Sequence, residues 1–182
     1  MKRSFAAVVA CFYLSGCLGY QIGPVKPNYL SDVHTIAVPT FKNETLIPRI
    51  EVLVTDTVIK QVQQDGTYKI GNEGNADATL KAEISRISRS PARSVRGNVL
   101  ATTEFNLSMR VKYRLVGRDG KTIGLPGEAV GTTSFFVGNS GITAQALESG
   151  PVGDVTSDER QALPLAAEEL ATRLVSQLSE GW

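Results

Sequence analysis

The chain has 182 residues, with 19 lysines and arginines, 18 carboxylates, one histidine and two cysteines. That length suits one domain with a single apolar core. The near-neutral total says little about partners, and a single histidine with so few thiols leaves too few ligands for a transition-metal site.

Lys2 and Arg3 form a short positive region, Phe5 to Tyr13 is a nearly unbroken apolar run, and Leu14-Ser15-Gly16-Cys17 follows. This is the layout of a secretory signal peptide, and the apolar run is too short to cross a bilayer of roughly 30 Å. Leu-Ser-Gly-Cys also matches the bacterial lipobox. The expected organisation is a signal peptide over 1–16, a lipidated tether over 17–31 and a single domain over 32–182. The competing readings are a plain signal peptide or an apolar N-terminal helix of a cytosolic domain. Lipidation needs the Cys17 thiol, and two or more acyl chains are required for stable anchoring. Residue 18 is Leu and not Asp, which by likeness to enteric lipoproteins points to the outer membrane, periplasmic side. Cys11 falls in the removed segment and Cys17 carries lipid, so the mature chain is expected to hold neither thiol nor disulfide.

Val33 to Phe41 is β-branched and apolar and predicts a first strand, with Pro39 near its end. Pro48 suits a first helical position. Ile50, Leu53, Val54, Thr57, Val58, Gln61 and Val62 then mark one stripe of an amphipathic helix, ended by Asp65-Gly66. Thr67 to Ile70 is a short strand candidate. Ala78, Leu80, Ala82 and Ile84 alternate with polar residues as a half-buried strand, and Ser88 to Asn98 reads as a basic loop. Phe105 to Leu115 is the clearest strand. Arg118 to Lys121 is a turn, so a strand over roughly Glu128 to Val137 returns as a hairpin. Gly138 to Val155 reads as loop. Thr156 with Glu159 can form a capping box for a last helix carrying Leu163, Ala167, Leu170, Leu174 and Leu178, with Pro164 in its first turns. The expected fold class is α+β: a two-layer sandwich, two helices packed on one face of a mixed, mostly antiparallel sheet of four to five strands.

Charge is unevenly distributed. Between Ile84 and Arg118 stand Arg86, Arg89, Arg93, Arg96, Arg110, Lys112, Arg114 and Arg118 against the lone Glu104, whereas Asp119 to the end holds nine acidic and three basic residues. A chain so polarised should present a positive face to an anionic partner. Enzyme chemistry lacks its parts: His34 sits in a predicted strand, and no nucleophile elbow or phosphate-cradling loop is present. No cofactor and no metal are expected beyond the covalent lipid on Cys17. Nucleic acid is disfavoured because the anchor places the domain outside the cytoplasm. A degraded enzyme remains a third class, which a deep pocket with a perturbed acid or base would revive.

Cys17 is followed by Gly19-Tyr20 and Gly23. Ile36-Ala37-Val38-Pro39 leads through Phe41 and Asn43 to Thr45, Pro48 and Glu51, the helix continues through Thr55, and Ala76-Asp77-Ala78 opens a strand. In this order the chain resembles the LptE family of outer-membrane lipopolysaccharide-assembly lipoproteins. Leu18, between the cysteine and the Gly-Tyr pair, departs from the family's opening, and beyond Ala78 the likeness is one of pattern. The resemblance implies a compact sandwich, action by binding, and a partner: the LptD-type outer-membrane β-barrel, which the lipoprotein plugs and with which it delivers lipopolysaccharide to the outer leaflet.

The basic residues fit such a ligand on their own terms, because arginine donates bidentate hydrogen bonds to phosphate. Arg110, Lys112 and Arg114 should project from one strand face about 7 Å apart, with Arg86, Arg89, Arg93 and Arg96 on the adjoining strand end and loop. These seven are the candidate lipopolysaccharide-binding residues. The alternatives are a solvated face pairing with Glu83 or Glu104, or contact with an acidic barrel lumen. Tyr20 and Tyr29 suit either a membrane interface or packing on the domain edge. An alternative function of another class is a lipid-anchored periplasmic binding module, for peptidoglycan or a small ligand, with no barrel partner.

Overall fold

The computed structural model describes residues 26–95, 101–136 and 157–180. Cys17, most of the tether, Arg96, Thr156 of the expected capping box and the loop after Val137 lie outside them. The elements are strands β1 (Thr35–Ala37), β2 (Lys42–Asn43), β3 (Lys69–Ile70), β4 (Ala78–Val95), β5 (Ala101–Gly117) and β6 (Thr122–Phe136), with helices α1 (Ile50–Asp65) and α2 (Ser157–Glu180). The expected two-layer α+β sandwich is observed. The sheet runs β3-β1-β4-β5-β6, with β2 also on β4. β1 lies parallel to β3 and β4, β2 parallel to β4, and β4, β5 and β6 form an antiparallel meander.

The first strand is shorter than its apolar run suggests. Pro39 cannot donate to a ladder, and just after it the Phe41 N–H turns away to the Thr55 hydroxyl at 3.0 Å. The run therefore breaks into β1 and β2, which pair with β4 at Ala78–Thr79 and again at Glu83–Ile84. This is why six strands form where four to five are expected.

Between β2 and α1 the chain is organised by Asn43. Its side chain accepts from the Thr45 amide at 2.8 Å and hydroxyl at 2.7 Å, and donates to the Ile47 carbonyl at 2.9 Å and to Glu51 at 3.0 Å. Pro48 is not the first helical residue: Arg49, with φ 66°, stands between it and α1. Gly66 closes the helix in the left-handed region at φ 74°, its N–H on the Val62 carbonyl, as its position predicts.

β4 does not end before Ser88. It runs on to Val95, into the residues expected as a basic loop, with a register slip between Ile84 and Arg86 that breaks the alternation. Such a bulge exchanges the two faces of a strand. Ala78, Leu80 and Ile84 are buried before it, and Ile87 after it.

The core fills the space between the sheet and the helices. Val54, Val58 and Val62 of α1 and Ala166, Leu170, Ala171, Leu174 and Val175 of α2 meet Leu80, Ile84, Leu107, Met109 and Val111. Among the described residues no helix is long and apolar enough to cross a membrane. Residues 28–30, assigned to the tether, form a short 3-10 turn that buries Leu30 completely.

Asp77 ties β1 to β4. Its carboxylate accepts from the Thr35 hydroxyl at 2.8 Å, the Thr35 amide at 2.9 Å and the His34 amide at 3.0 Å. These bonds, with Arg118 nearby, hold its pKa down at about 2 from 3.8. A carboxylate depressed in the folded state adds stability above its ordinary pKa and loses it as pH falls through the folded value. The urea midpoint is therefore expected to drop between pH 4 and pH 2. In Asp77→Asn it should be lower at neutral pH and flatter across that window.

Candidate anion-binding face

Both helices lie on one side of the sheet, so among the described residues no helix covers the other side of β2, β4, β5 and β6. The alternation of β5 buries Phe105, Leu107, Met109, Val111, Tyr113 and Leu115 and sends Arg110, Lys112 and Arg114 to the open side. Antiparallel register sets Lys81 opposite Arg114, Glu83 opposite Lys112, and Arg86 opposite Arg110. On the far flank Glu128 of β6 stands opposite Lys112. The parallel pairing of β2 brings Lys42 beside Glu83.

Six cations thus share one sheet face: Lys42, Lys81, Arg86, Arg110, Lys112 and Arg114. Three carboxylates accompany them. Lys42 meets Glu44 at 2.7 Å, a contact that holds the lysine above and the glutamate below their usual pKa values. Arg110 pairs with Glu128, and Glu83 lies between Lys42 and Lys112. Lys81, Arg86, Lys112 and Arg114 form no ion pair among the described residues. Two shallow depressions mark the face. One of about 320 Å³ is lined by Lys42, Lys81, Glu83, Lys112, Arg114 and Pro126. The other, of about 390 Å³, is lined by Ser85, Arg86, Arg110, Lys112 and Glu128. Like charges directly opposite across a ladder are destabilising, and Lys81–Arg114 and Arg86–Arg110 are two such pairs. A polyanion bridging them would relieve both.

Of the seven predicted residues, Arg86, Arg110, Lys112 and Arg114 come together here. Arg89 does not. The bulge turns it to the helix side, where its Nε meets Glu159 of α2 at 2.7 Å, with side chains only 8% and 0% exposed. Glu159 of the expected capping box makes this pair, and its expected capping partner Thr156 lies outside the described residues. Arg93 continues β4 in register with Glu104. Two members of the face escape the sequence reading. Lys81 lies on the polar side of a strand already recognised, and following the hairpin register would have found it. Lys42 arrives through a two-residue parallel pairing that no local pattern announces. Arg118, counted in the charge bias, is structural: it contacts Asp77 at 3.1 Å and donates to the Ala76 and Asn75 carbonyls. No group of three or more potential metal ligands is present among the described residues.

The described residues form a helix pair on a mixed sheet whose far side is basic, and known folds share that architecture. The structure resembles a minor lipoprotein from Acinetobacter baumannii, with 11% identity over 82% of this chain and 92% of that one, at a TM-score of 0.51. It also resembles a PelC dodecamer from Paraburkholderia phytofirmans (15% identity, 85% and 94% covered, TM-score 0.50) and a hypothetical protein from Chlamydia trachomatis (12%, 81% and 96%, 0.50). At these identities the likeness is one of fold. No curated protein matches the chain in sequence. The family model LptE, described as lipopolysaccharide-assembly, matches residues 33–178. The chain belongs to the LptE family.

Proposed function

We propose that the chain is an outer-membrane lipoprotein, held on the periplasmic side by lipid on Cys17, that plugs and assembles with an LptD-type β-barrel during lipopolysaccharide transport to the outer leaflet. In this reading the open sheet face receives phosphate groups of lipopolysaccharide. The observation that carries it is the stacking of like charges, Lys81 on Arg114 and Arg86 on Arg110, on a face that no described helix covers. Family membership supplies the ligand class and the role. Arg86, Arg110, Lys112 and Arg114, joined by Lys42 and Lys81, are the proposed contacts. Arg89 has no part in it.

Charge-assisted hydrogen bonds contribute about 1.5–3 kcal/mol each. The double variant Lys112→Glu/Arg114→Glu is therefore expected to weaken lipopolysaccharide binding at low salt at least about tenfold. The wild-type affinity should also fall more steeply with salt than that of the variant, since exposed charges are screened. Unchanged affinity, with an unchanged melting temperature, would remove the ligand from this face.

A further inference from the structure

The N-terminal segment meets the domain at one corner and is fixed there. The Lys26 ammonium donates to the Val33 carbonyl at 2.9 Å and lies 4.9 Å from the centre of the Tyr68 ring. Tyr68 in turn donates to the Leu178 carbonyl at 2.8 Å. The Tyr29 ring packs on the backbone of Gly124, where a Cβ would fall 2.6 Å from a ring carbon.

Gly124 opens a bulge in β6. Tyr113 pairs with Gly127 and Leu115 with Ile123, so Gly124, Leu125 and Pro126 stand opposite Arg114 alone. Gly124 has φ 69°, a left-handed conformation that glycine tolerates. The bulge thrusts Leu125 outward: at 90% exposure it is the most exposed large apolar residue among those described, and neighbouring Tyr29 is 54% exposed. Leu125 packs on almost nothing, so the fold gives no reason for leucine there. Cations stand near it in register: Arg114 across the bulge, Lys81 opposite Arg114, and Lys121 in the preceding turn, 3.7 Å from Asp119 with its side chain 84% exposed.

We propose that this corner docks on the membrane, with Leu125 and Tyr29 seated among the headgroups of the leaflet that holds the anchor and Lys121 facing its lipid phosphates, while Lys81 and Arg114 stay on the open sheet face. The proposal rests on the lipid anchor at Cys17. Reach selects the occupant. Eight residues separate Cys17 from the pinned Lys26, and such a stretch spans at most about 30 Å. The corner is therefore held near the bilayer surface whenever the anchor is inserted. An exposed apolar tip and a tyrosine with basic residues nearby is the composition that settles at an anionic lipid interface.

The test uses the full lipidated chain in vesicles of phosphatidylethanolamine and phosphatidylglycerol, with brominated acyl chains as quencher. Trp182 is the only tryptophan, so Trp182→Phe gives a silent background for Leu125→Trp and, as a control on α2, Leu165→Trp. Docking predicts a blue-shifted, strongly quenched signal at position 125 and an unquenched one at 165. Equal quenching at both sites, or at neither in protein that floats with the vesicles, overturns it. A blue shift at 125 that grows with protein concentration without vesicles would place a second copy there and also overturn it. Protein that fails to float lacks a working anchor, and both the anchor and the docking fall.

Discussion

Glu159→Ala is expected to cost about 3–5 kcal/mol, because it leaves the Arg89 guanidinium buried without its carboxylate. The pair is enclosed, at 8% and 0% exposure, and the Nε–Oε1 distance is 2.7 Å. An isolated charge held away from water is penalised far more than an exposed one. Arg89→Met/Glu159→Leu, which removes both charges at similar volume, should recover a large part of the loss. Urea unfolding of the two single variants and the double variant measures this directly. If Glu159→Ala unfolds within about 1 kcal/mol of wild type, the pair behaves as an exposed one and its enclosure is wrong. The pair also bears on the basic face, since it clamps β4 to the start of α2 three residues beyond Arg86.

Gly131→Val should be comparably damaging for a steric reason. At Gly131 a Cβ would fall 2.0 Å from the Ala166 carbonyl oxygen and 2.6 Å from the Leu170 amide nitrogen. Both are helix backbone atoms, so no rotamer change relieves the clash and α2 must move off β6. Overpacking typically costs about 1–3 kcal/mol and more when backbone is displaced, and here even alanine should fall near the top of that range. The same displacement would break the bond from the Thr132 N–H to Glu169, 2.8 Å long, by which α2 covers the β6 edge. An exposed edge invites strand addition, so the variant is expected to aggregate on heating as well as to melt earlier. Wild-type stability in Gly131→Ala would contradict this packing.

Much of the architecture was legible in the sequence. α1 was readable from its valine stripe and glycine stop, β5 from unbroken alternation, and the β5–β6 turn from Arg118-Asp119-Gly120-Lys121. What failed to show has one recurring cause: a single residue that shifts a period. The slip between Ile84 and Arg86 moves buried positions in β4 from even to odd numbers, so Ile87 and Arg89 no longer fit the alternation and the segment reads as loop. The three-residue bulge at Gly124–Pro126 hides the start of β6 in the same way. Pro39 cuts β1 short, and the parallel pairings that follow depend on contacts distant in sequence. The binding face was half legible for the same reasons. β5 announced its three cations, the bulge removed Arg89 to the interior, and Lys42 and Lys81 joined through pairing alone.

The fold explains why a binding surface is available. Both helices cover one side of the sheet, so the strands of the other side are free to carry charge without disturbing the core. That division lets the domain present basic side chains while its apolar contacts stay intact.

Co-purification tests the proposed complex with a barrel most directly. Envelopes would be extracted in mild detergent and the chain captured through a tag placed after Trp182. The expected result is a heat-modifiable outer-membrane β-barrel of LptD type eluting with it in equal amount. Recovery of the lipoprotein alone, from cells that make such a barrel, would contradict it.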